Sequence, residues 1–321
     1  MPIVEIPAKT LNTKTFIQEK VKEIAATVGD GSAITALSGG VDSSVVTLLG
    51  HKALGRKLKT YFIENGLMRQ DESRMVAQLF RRLGIRVEIL DAREAFFSAL
   101  RGLRDPEEKR EAITQTFYKK VFGQLVRESG AQHLLQGTIL TDVEETVAGV
   151  KRQHNVLEQL GIDPAEAYGY KVIEPVLQLR KDGVRKLAKA LGLPVSLYRR
   201  MPFPGPALAA RVVGEATPER IALVRKATAV LEGELKNIKA FQYMAILHED
   251  RFPGMRNGKR DYGLQIEIRC WNSVDARTAT PVWLPPRKLQ RLAARITKEV
   301  AGVVSVTYNI APKPPSTMEA V

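Results

Sequence analysis

Residues 38–44 read Ser-Gly-Gly-Val-Asp-Ser-Ser, set between the apolar run Ala33-Ile34-Thr35-Ala36-Leu37 and the helix-forming run SSVVTLLGHKAL at 43–54. At a strand-to-helix turn, Gly39 and Gly40 let the backbone come close to a ligand, and the first amides of the helix favour an anion. The stretch has neither the GK[ST] ending of a Walker loop nor the spacing GxGxxG. Its side chains still suit phosphate. Ser38, Ser43 and Ser44 offer hydroxyls, and Gly39, Gly40 and Val41 offer backbone N–H groups, to a pyrophosphate. Asp42 is a hard oxygen ligand suited to Mg²⁺ among phosphates, and its plainer reading is an acid favoured by the dipole at a helix start.

Outward from this turn, residues 14–196 alternate between short apolar runs and amphipathic ones. The segment 13–29 places Phe16, Val21, Ile24 and Val28 at helical spacing and stops at Gly29. The runs SAITAL, KTYFIE, RVEIL, HLLQG and KVIEP suit buried strands, separated by helical stretches such as DESRMVAQLFRRLG. Strands alternating with helices predict an α/β domain, a parallel twisted sheet with helices on both faces.

The pattern breaks at 198–220, where Pro202, Pro204, Gly205 and Pro206 end any regular element. Beyond it a helix opens at Thr217, an N-cap ahead of Pro218. The segments FQYMAILHED, YGLQIEIRCWNS and VVSVTYNIA then read as strands and PPRKLQRLAARITKEVAG as a second helix. The chain is thus expected to divide into a domain at 1–198 and a smaller α+β domain at 199–321 with an antiparallel sheet. An exposed sheet face in such a module is expected to be covered by a second copy.

With 44% hydrophobic and 26% charged residues among 321, the composition is that of a folded globular chain. No apolar run reaches membrane-spanning length and the N-terminus lacks the pattern of a signal peptide, so a cytoplasmic location is expected. Cys270 is the only cysteine, which excludes an intrachain disulfide, and its alternating neighbours place it on a strand. The net charge of +14 points to a polyanionic partner, free nucleotide or RNA, unless the basic residues line solvated helix faces.

The run SGGVDSS in its strand–helix setting resembles the PP-loop, SGGxDS, of enzymes that split ATP into AMP and pyrophosphate, whose domain is of the adenine nucleotide alpha hydrolase type. Further segments, FIENGLMR, QGTILTDVEE, KRQHN, IEPVLQLRKDGVRKLAKALGLP, PFPGPALAARVVGE and YNIAPKPPSTMEAV, follow in the order seen in the ATP-pyrophosphatase part of GMP synthetase and its dimerisation domain. The resemblance implies a ligase that adenylylates the carbonyl oxygen of xanthosine monophosphate (XMP), after which ammonia displaces AMP to give GMP. It implies ATP and Mg²⁺, a homodimer, and ammonia from a separate glutamine amidotransferase subunit or from solution. Residue by residue, it implies Asp142 as a second metal carboxylate beside Asp42, and Lys151 as a cation that stabilises charge building on ATP. Gly66, Arg69, Gly137 and Lys181 fall in segments that hold the nucleotide, and Arg200, Lys313, Thr317 and Glu319 in segments that meet the acceptor.

Departures from the family's runs gather on the acceptor side. Arg152 and Gln153 stand in a segment that reads SHHN in the family, and Met201 stands for a histidine. Two other readings therefore stay open: a PP-loop enzyme that adenylylates another carbonyl, in a modified base or RNA, and a non-catalytic nucleotide-binding protein.

Overall fold

A computed structural model of the chain describes residues 3–147, 170–201, 203–256, 258–274 and 277–319. Lys151, Arg152 and Gln153 lie outside the described residues. The chain forms two compact units. One joins Met1–Glu64, Glu72–Asp91 and Thr114–Arg200; the other joins Asn65–Asp71, Ala92–Ile113 and Met201–Val321. Where the sequence pattern places one boundary near 198, the structure thus draws two short inner segments into the C-terminal unit. The reason is long-range bonding that local pattern cannot show. The Leu208 amide donates to the Leu67 carbonyl at 2.9 Å, and the Lys109 ammonium donates to the carbonyls of Val212 and Gly214 at 2.8 and 3.0 Å.

In the first unit, α1 (Thr13–Val28) is capped by the Asn12 side chain, buries Phe16, Ile24 and Val28, and stops at Gly29 with φ 57°. Then follow β1 (Ala33–Ala36), α2 (Val41–Leu54), β2 (Leu58–Glu64), α3 (Glu72–Arg82) and β3 (Val87–Asp91). After α4 (Arg93–Leu100) and α5 (Pro106–Gln115), which lie wholly and mostly in the second unit, the first unit resumes with α6 (Gly123–Ser129), β4 (His133–Leu135), α7 (Leu140–Val147), β5 (Lys171–Ile173), α8 (Lys181–Ala190) and α9 (Val195–Tyr198). The five strands are parallel in the order β3-β2-β1-β4-β5. All five strands read from the sequence are present. One differs in burial: every residue of β3 is exposed or half-buried, because β3 is an edge strand paired only with β2.

The strand order decides where the site lies. From β1 the chain steps outward to β2 and β3, then returns to pair β4 on the other side of β1. In an open parallel sheet the crevice at such a reversal, beyond the carboxyl ends of the strands, is where ligands bind. Residues 38–44 leave the carboxyl end of β1 and residues 136–142 leave that of β4. The core beneath is filled by side chains such as Ile34, Leu49, Phe62 and Leu135, each at most 1% exposed. Burying each contributes about 1.5–3 kcal/mol.

The second unit holds α10 (Pro218–Leu235), the ribbon of β6 (Gln242–Arg256) and β7 (Lys259–Asn272), then β8 (Thr280–Pro281), α11 (Pro286–Glu299) and β9 (Val303–Tyr308). Thr217 caps α10 as the sequence indicates, its hydroxyl accepting the Arg220 amide at 3.3 Å with Pro218 next in line. Strands β6, β7 and β8 pair antiparallel, whereas β9 joins β7 in parallel because α11 carries the chain back before it pairs. Cys270 lies on β7 and burial pushes its thiol up to about 11, so it serves as packing and not as a nucleophile.

Candidate active site

The turn at residues 38–44 is a compact knot of hydrogen bonds. Gly39 adopts φ 76°, a conformation that L side chains rarely take, and Gly40 caps α2 in an extended conformation. The Ser43 hydroxyl accepts the Ser38 amide at 3.2 Å and lies 3.0 Å from the Ser38 hydroxyl, while the Gly40 amide donates to the Ser38 hydroxyl at 3.3 Å. Ser44 is fully buried and its hydroxyl donates to the Gly40 carbonyl at 2.7 Å, so it braces the helix start from beneath. Ser38 is exposed and Ser43 half-buried, which leaves these two on the ligand side. The amides of Val41, Asp42 and Ser43 open α2 and have no partner within the helix. Together with the helix dipole they form a site for an anion.

The loop after β4 closes on this turn. A Cβ on Gly137 would lie 2.9 Å from the Ser43 nitrogen and 3.0 Å from the Asp42 carbonyl carbon, so only glycine fits there. The Leu140 amide donates to the Leu179 carbonyl at 3.0 Å, tying this loop to the segment that leads into α8. Lys181, the first residue of α8, then gives its ammonium to Oδ2 of Asp42. Asp42, Gly137 and Lys181, which are far apart in sequence, are thus brought together.

Asp142 stands in the first turn of α7, where its Oδ2 accepts the Ile139 amide at 3.1 Å. Two residues on, Glu144 receives both terminal nitrogens of Arg180 at 2.8 and 2.6 Å, and Glu5 receives Nε of the same arginine at 3.1 Å. Among the described residues no three His, Cys, Asp or Glu side chains gather as a metal nest. Asp42 nonetheless fits a divalent cation: its Oδ1 is buried with no hydrogen-bond partner, an acceptor-only atom awaiting a positive charge.

Arg200 is placed against the turn at 38–44. Its Nη1 donates to Oε1 of Glu72 at 2.5 Å and reaches the Gly39 carbonyl at 3.4 Å. Nothing in the sequence singles out Glu72, since an acid at the start of α3 looks like a response to the helix dipole. Burial of the residue, 2% exposed, is what marks it.

Gly66 and Arg69 belong to the second unit. Gly66 has φ 76° and a Cβ there would meet Phe97 at 2.6 Å. Arg69 stacks on Phe203 at 3.8 Å and donates to Glu232 at 2.7 Å. The C-terminal residues are ordered by packing and by an arginine. Met318 inserts among Met244, Ile246, Trp271 and Ala279, and the Lys313 backbone bridges that of Ala279. Arg269 donates to the carbonyls of Thr317 at 2.7 Å and Glu319 at 3.2 Å. The Thr317 hydroxyl donates to the Glu319 carbonyl at 2.6 Å, and the Glu319 carboxylate accepts Nε2 of the Gln242 side chain at 3.1 Å. Arg211, 1% exposed, faces its other oxygen at 4.0 Å, and burial pushes this guanidinium down to about 10 against the pull of Glu319. Arg269 is itself held by Glu267 at 2.6 Å. Burial works against the Glu267 charge, yet hydrogen bonds from His248, Arg269 and Asn309 prevail and hold its carboxyl near 2.

A family model described as the GMP synthase C-terminal domain matches residues 231–320, and one described as asparagine synthase matches residues 17–253. A protein from Pyrococcus abyssi, named as a subunit of glutamine-hydrolyzing GMP synthase, is 46% identical over 96% of this chain and 99% of its own length. The chain belongs to the GMP synthase family. Relatives with the same name in Archaeoglobus fulgidus and Methanocaldococcus jannaschii are 44% and 42% identical, covering 96% and 95% of this chain and 99% and 98% of theirs. The parallel sheet and the smaller sheet unit agree with the two family models that match the chain. No described helix is long and apolar enough to cross a membrane.

Proposed function

We propose that the chain is the ligase subunit that turns XMP into GMP at the expense of ATP, with AMP and pyrophosphate released. One observation carries the reading: the intact SGGVDSS turn stands at the reversal point of the parallel sheet, with Gly137, Asp42 and Lys181 converging on it. ATP would lay its β- and γ-phosphates on the amides of Val41 to Ser43 and on the hydroxyls of Ser38 and Ser43. Lys181 would turn from Asp42 to the phosphates, matching charge that grows on the leaving pyrophosphate. The carbonyl oxygen of XMP attacks the α-phosphorus and the bond to pyrophosphate breaks. Ammonia then adds at the same carbon, a proton is lost, and AMP leaves carrying the former carbonyl oxygen.

Asp42, through its unpartnered Oδ1, and Asp142 would hold Mg²⁺, which would supply positive charge to neutralise the phosphates. Lys151 is proposed as the further cation at the adenylyl transfer. Gly66 and Arg69 are proposed for adenosine, and Lys313, Thr317 and Glu319 for the acceptor nucleotide. A separate glutamine amidotransferase subunit would supply ammonia, as suggested by the relatives' name, which makes each of them one subunit of a glutamine-hydrolyzing enzyme. A second copy of the chain is the proposed partner of the smaller unit, where Tyr262 and Trp283 are 58% and 75% exposed. With XMP labelled by ¹⁸O at the reacting carbonyl, the label is expected in AMP. Label retained in GMP or released as water would contradict transfer through an adenylylated carbonyl.

A further inference from the structure

We propose that Glu72 and Arg200 form a positioning pair for the phosphate loop, so that Arg200 serves ATP and not the acceptor nucleotide. The inference rests on the reading that residues 38–44 hold ATP. Three features of the geometry carry it.

Glu72 is a carboxylate with almost no access to water, its side chain 1% exposed. A buried charge left without a counter-charge is strongly unfavourable, so Glu72 needs its cation in place. Arg200 supplies it at 2.5 Å while keeping 28% of its own side chain exposed. An acid that merely answered the dipole of α3 would need neither burial nor a guanidinium.

The pair also occupies the space that glycine leaves open. A Cβ on Gly39 would lie 2.6 Å from Oε1 of Glu72 and 3.3 Å from Nη1 of Arg200. The second glycine-requiring feature of the loop, besides its positive φ, is therefore this ion pair lodged against the backbone.

Finally, Arg200 draws the Gly39 carbonyl towards itself at 3.4 Å. In a planar trans peptide the following N–H points the opposite way. The Gly40 amide is accordingly turned to the Ser38 hydroxyl at 3.3 Å, the contact that shapes the entrance of the anion site. Glu72 orients Arg200, Arg200 orients the Gly39–Gly40 peptide, and that peptide orients Ser38. Loss of the guanidinium would free the peptide and remove the contact that Arg200 makes with Glu72 beside the place where pyrophosphate is to sit.

The test is a set of variants, Glu72→Gln, Arg200→Met, the double variant, Arg200→Lys and a loop control Ser38→Ala. KM is measured for ATP and for XMP, with direct ATP binding by calorimetry and folding checked by circular dichroism. Partners that orient a ligating group typically account for about 10- to 100-fold in affinity or activity. Arg200→Met is expected at the upper end of that range in KM for ATP and Glu72→Gln at the lower end, with KM for XMP unchanged. The double variant is expected to bind ATP no worse than Arg200→Met, because both substitutions remove the same pair. Should Arg200→Met fail to fold, Arg200→Lys and Glu72→Gln carry the same expectation with smaller effects. A rise in KM for XMP alone, or equal rises for both substrates, would overturn the proposal. So would unchanged ATP binding in folded Glu72→Gln and Arg200→Lys while Ser38→Ala weakens it. If Ser38→Ala also leaves ATP binding untouched, the loop reading itself fails.

Discussion

Lys181 and Asp42, which stand 139 positions apart, meet as an ion pair at the first turn of α2. Only Oδ2 of the carboxylate is engaged; Oδ1 is buried and unpartnered. Each member of the pair thus neutralises the other, and the proposed function has both exchange this contact for a phosphate and a cation. For Asp42→Asn, pyrophosphate release is expected to fall by at least about 100-fold, the scale of losing a preorganised electrostatic group. The circular dichroism spectrum should stay native. Activity at the wild-type level would remove Asp42 from the metal site.

Gly137→Ala tests the closure of the loop after β4. The added methyl would press on the Ser43 nitrogen and the Asp42 carbonyl carbon, backbone atoms that cannot swing aside. Displacing the start of α2 misplaces the amides that are to meet phosphate, and a shift of about 1 Å costs about 100-fold in a positioned site. KM for ATP should rise steeply while the smaller unit keeps its affinity for XMP. An unchanged KM for ATP would mean that the phosphates bind elsewhere.

Arg269→Ala tests the C-terminal residues. Arg269 binds the carbonyls of Thr317 and Glu319, and hydrogen bonds to a charged group are worth about 1.5–3 kcal/mol each. Their loss should loosen the tail and raise KM for XMP about tenfold or more, with KM for ATP unaffected. Protection of the 317–319 amides in hydrogen exchange should drop in parallel. A rise in KM for ATP instead would contradict the assignment of Thr317 and Glu319 to the acceptor.

Lys109 yields a pH prediction. The residue is 1% exposed, and burial pushes its ammonium down to about 8 despite two carbonyl acceptors. Between about 8 and the unfolded value near 10.5 the unfolded chain binds the extra proton. Stability from this group therefore rises with pH across that window, and the cost of burying the charge is fully present below it. Relative to Lys109→Met, the wild type should gain stability in urea titrations as pH rises from 8 towards 10.5. A constant difference would show that Lys109 keeps its proton.

The α/β alternation, all five parallel strands and the strand-to-helix turn at 38–44 are legible because they are local: apolar runs of strand length, a glycine stop at Gly29, two glycines ahead of a helix. The cap at Thr217 was legible for the same reason. What escaped depends on chain reversal. Nothing in the pattern around Lys109 or Leu67 announces that these segments pack beyond residue 200, since their partners lie over a hundred positions away. The parallel entry of β9 follows from the path of α11 and not from its alternation. Asp42, Gly137 and Lys181 were named from motif likeness, and the sheet's strand order supplies the physical reason that they meet. Glu72 and Arg269 gave no such sign: one resembles a helix-start acid, the other a polar residue on a strand, and only burial and partners reveal their work.

The most direct test of this chemistry is a single reaction with the purified chain, ATP, Mg²⁺, XMP and ammonium, following GMP and pyrophosphate together. Both are expected to accumulate in equal amounts, neither should form without XMP, and Asp42→Asn should suppress both. Pyrophosphate released at the same rate without XMP, or GMP formed undiminished by Asp42→Asn, would contradict it.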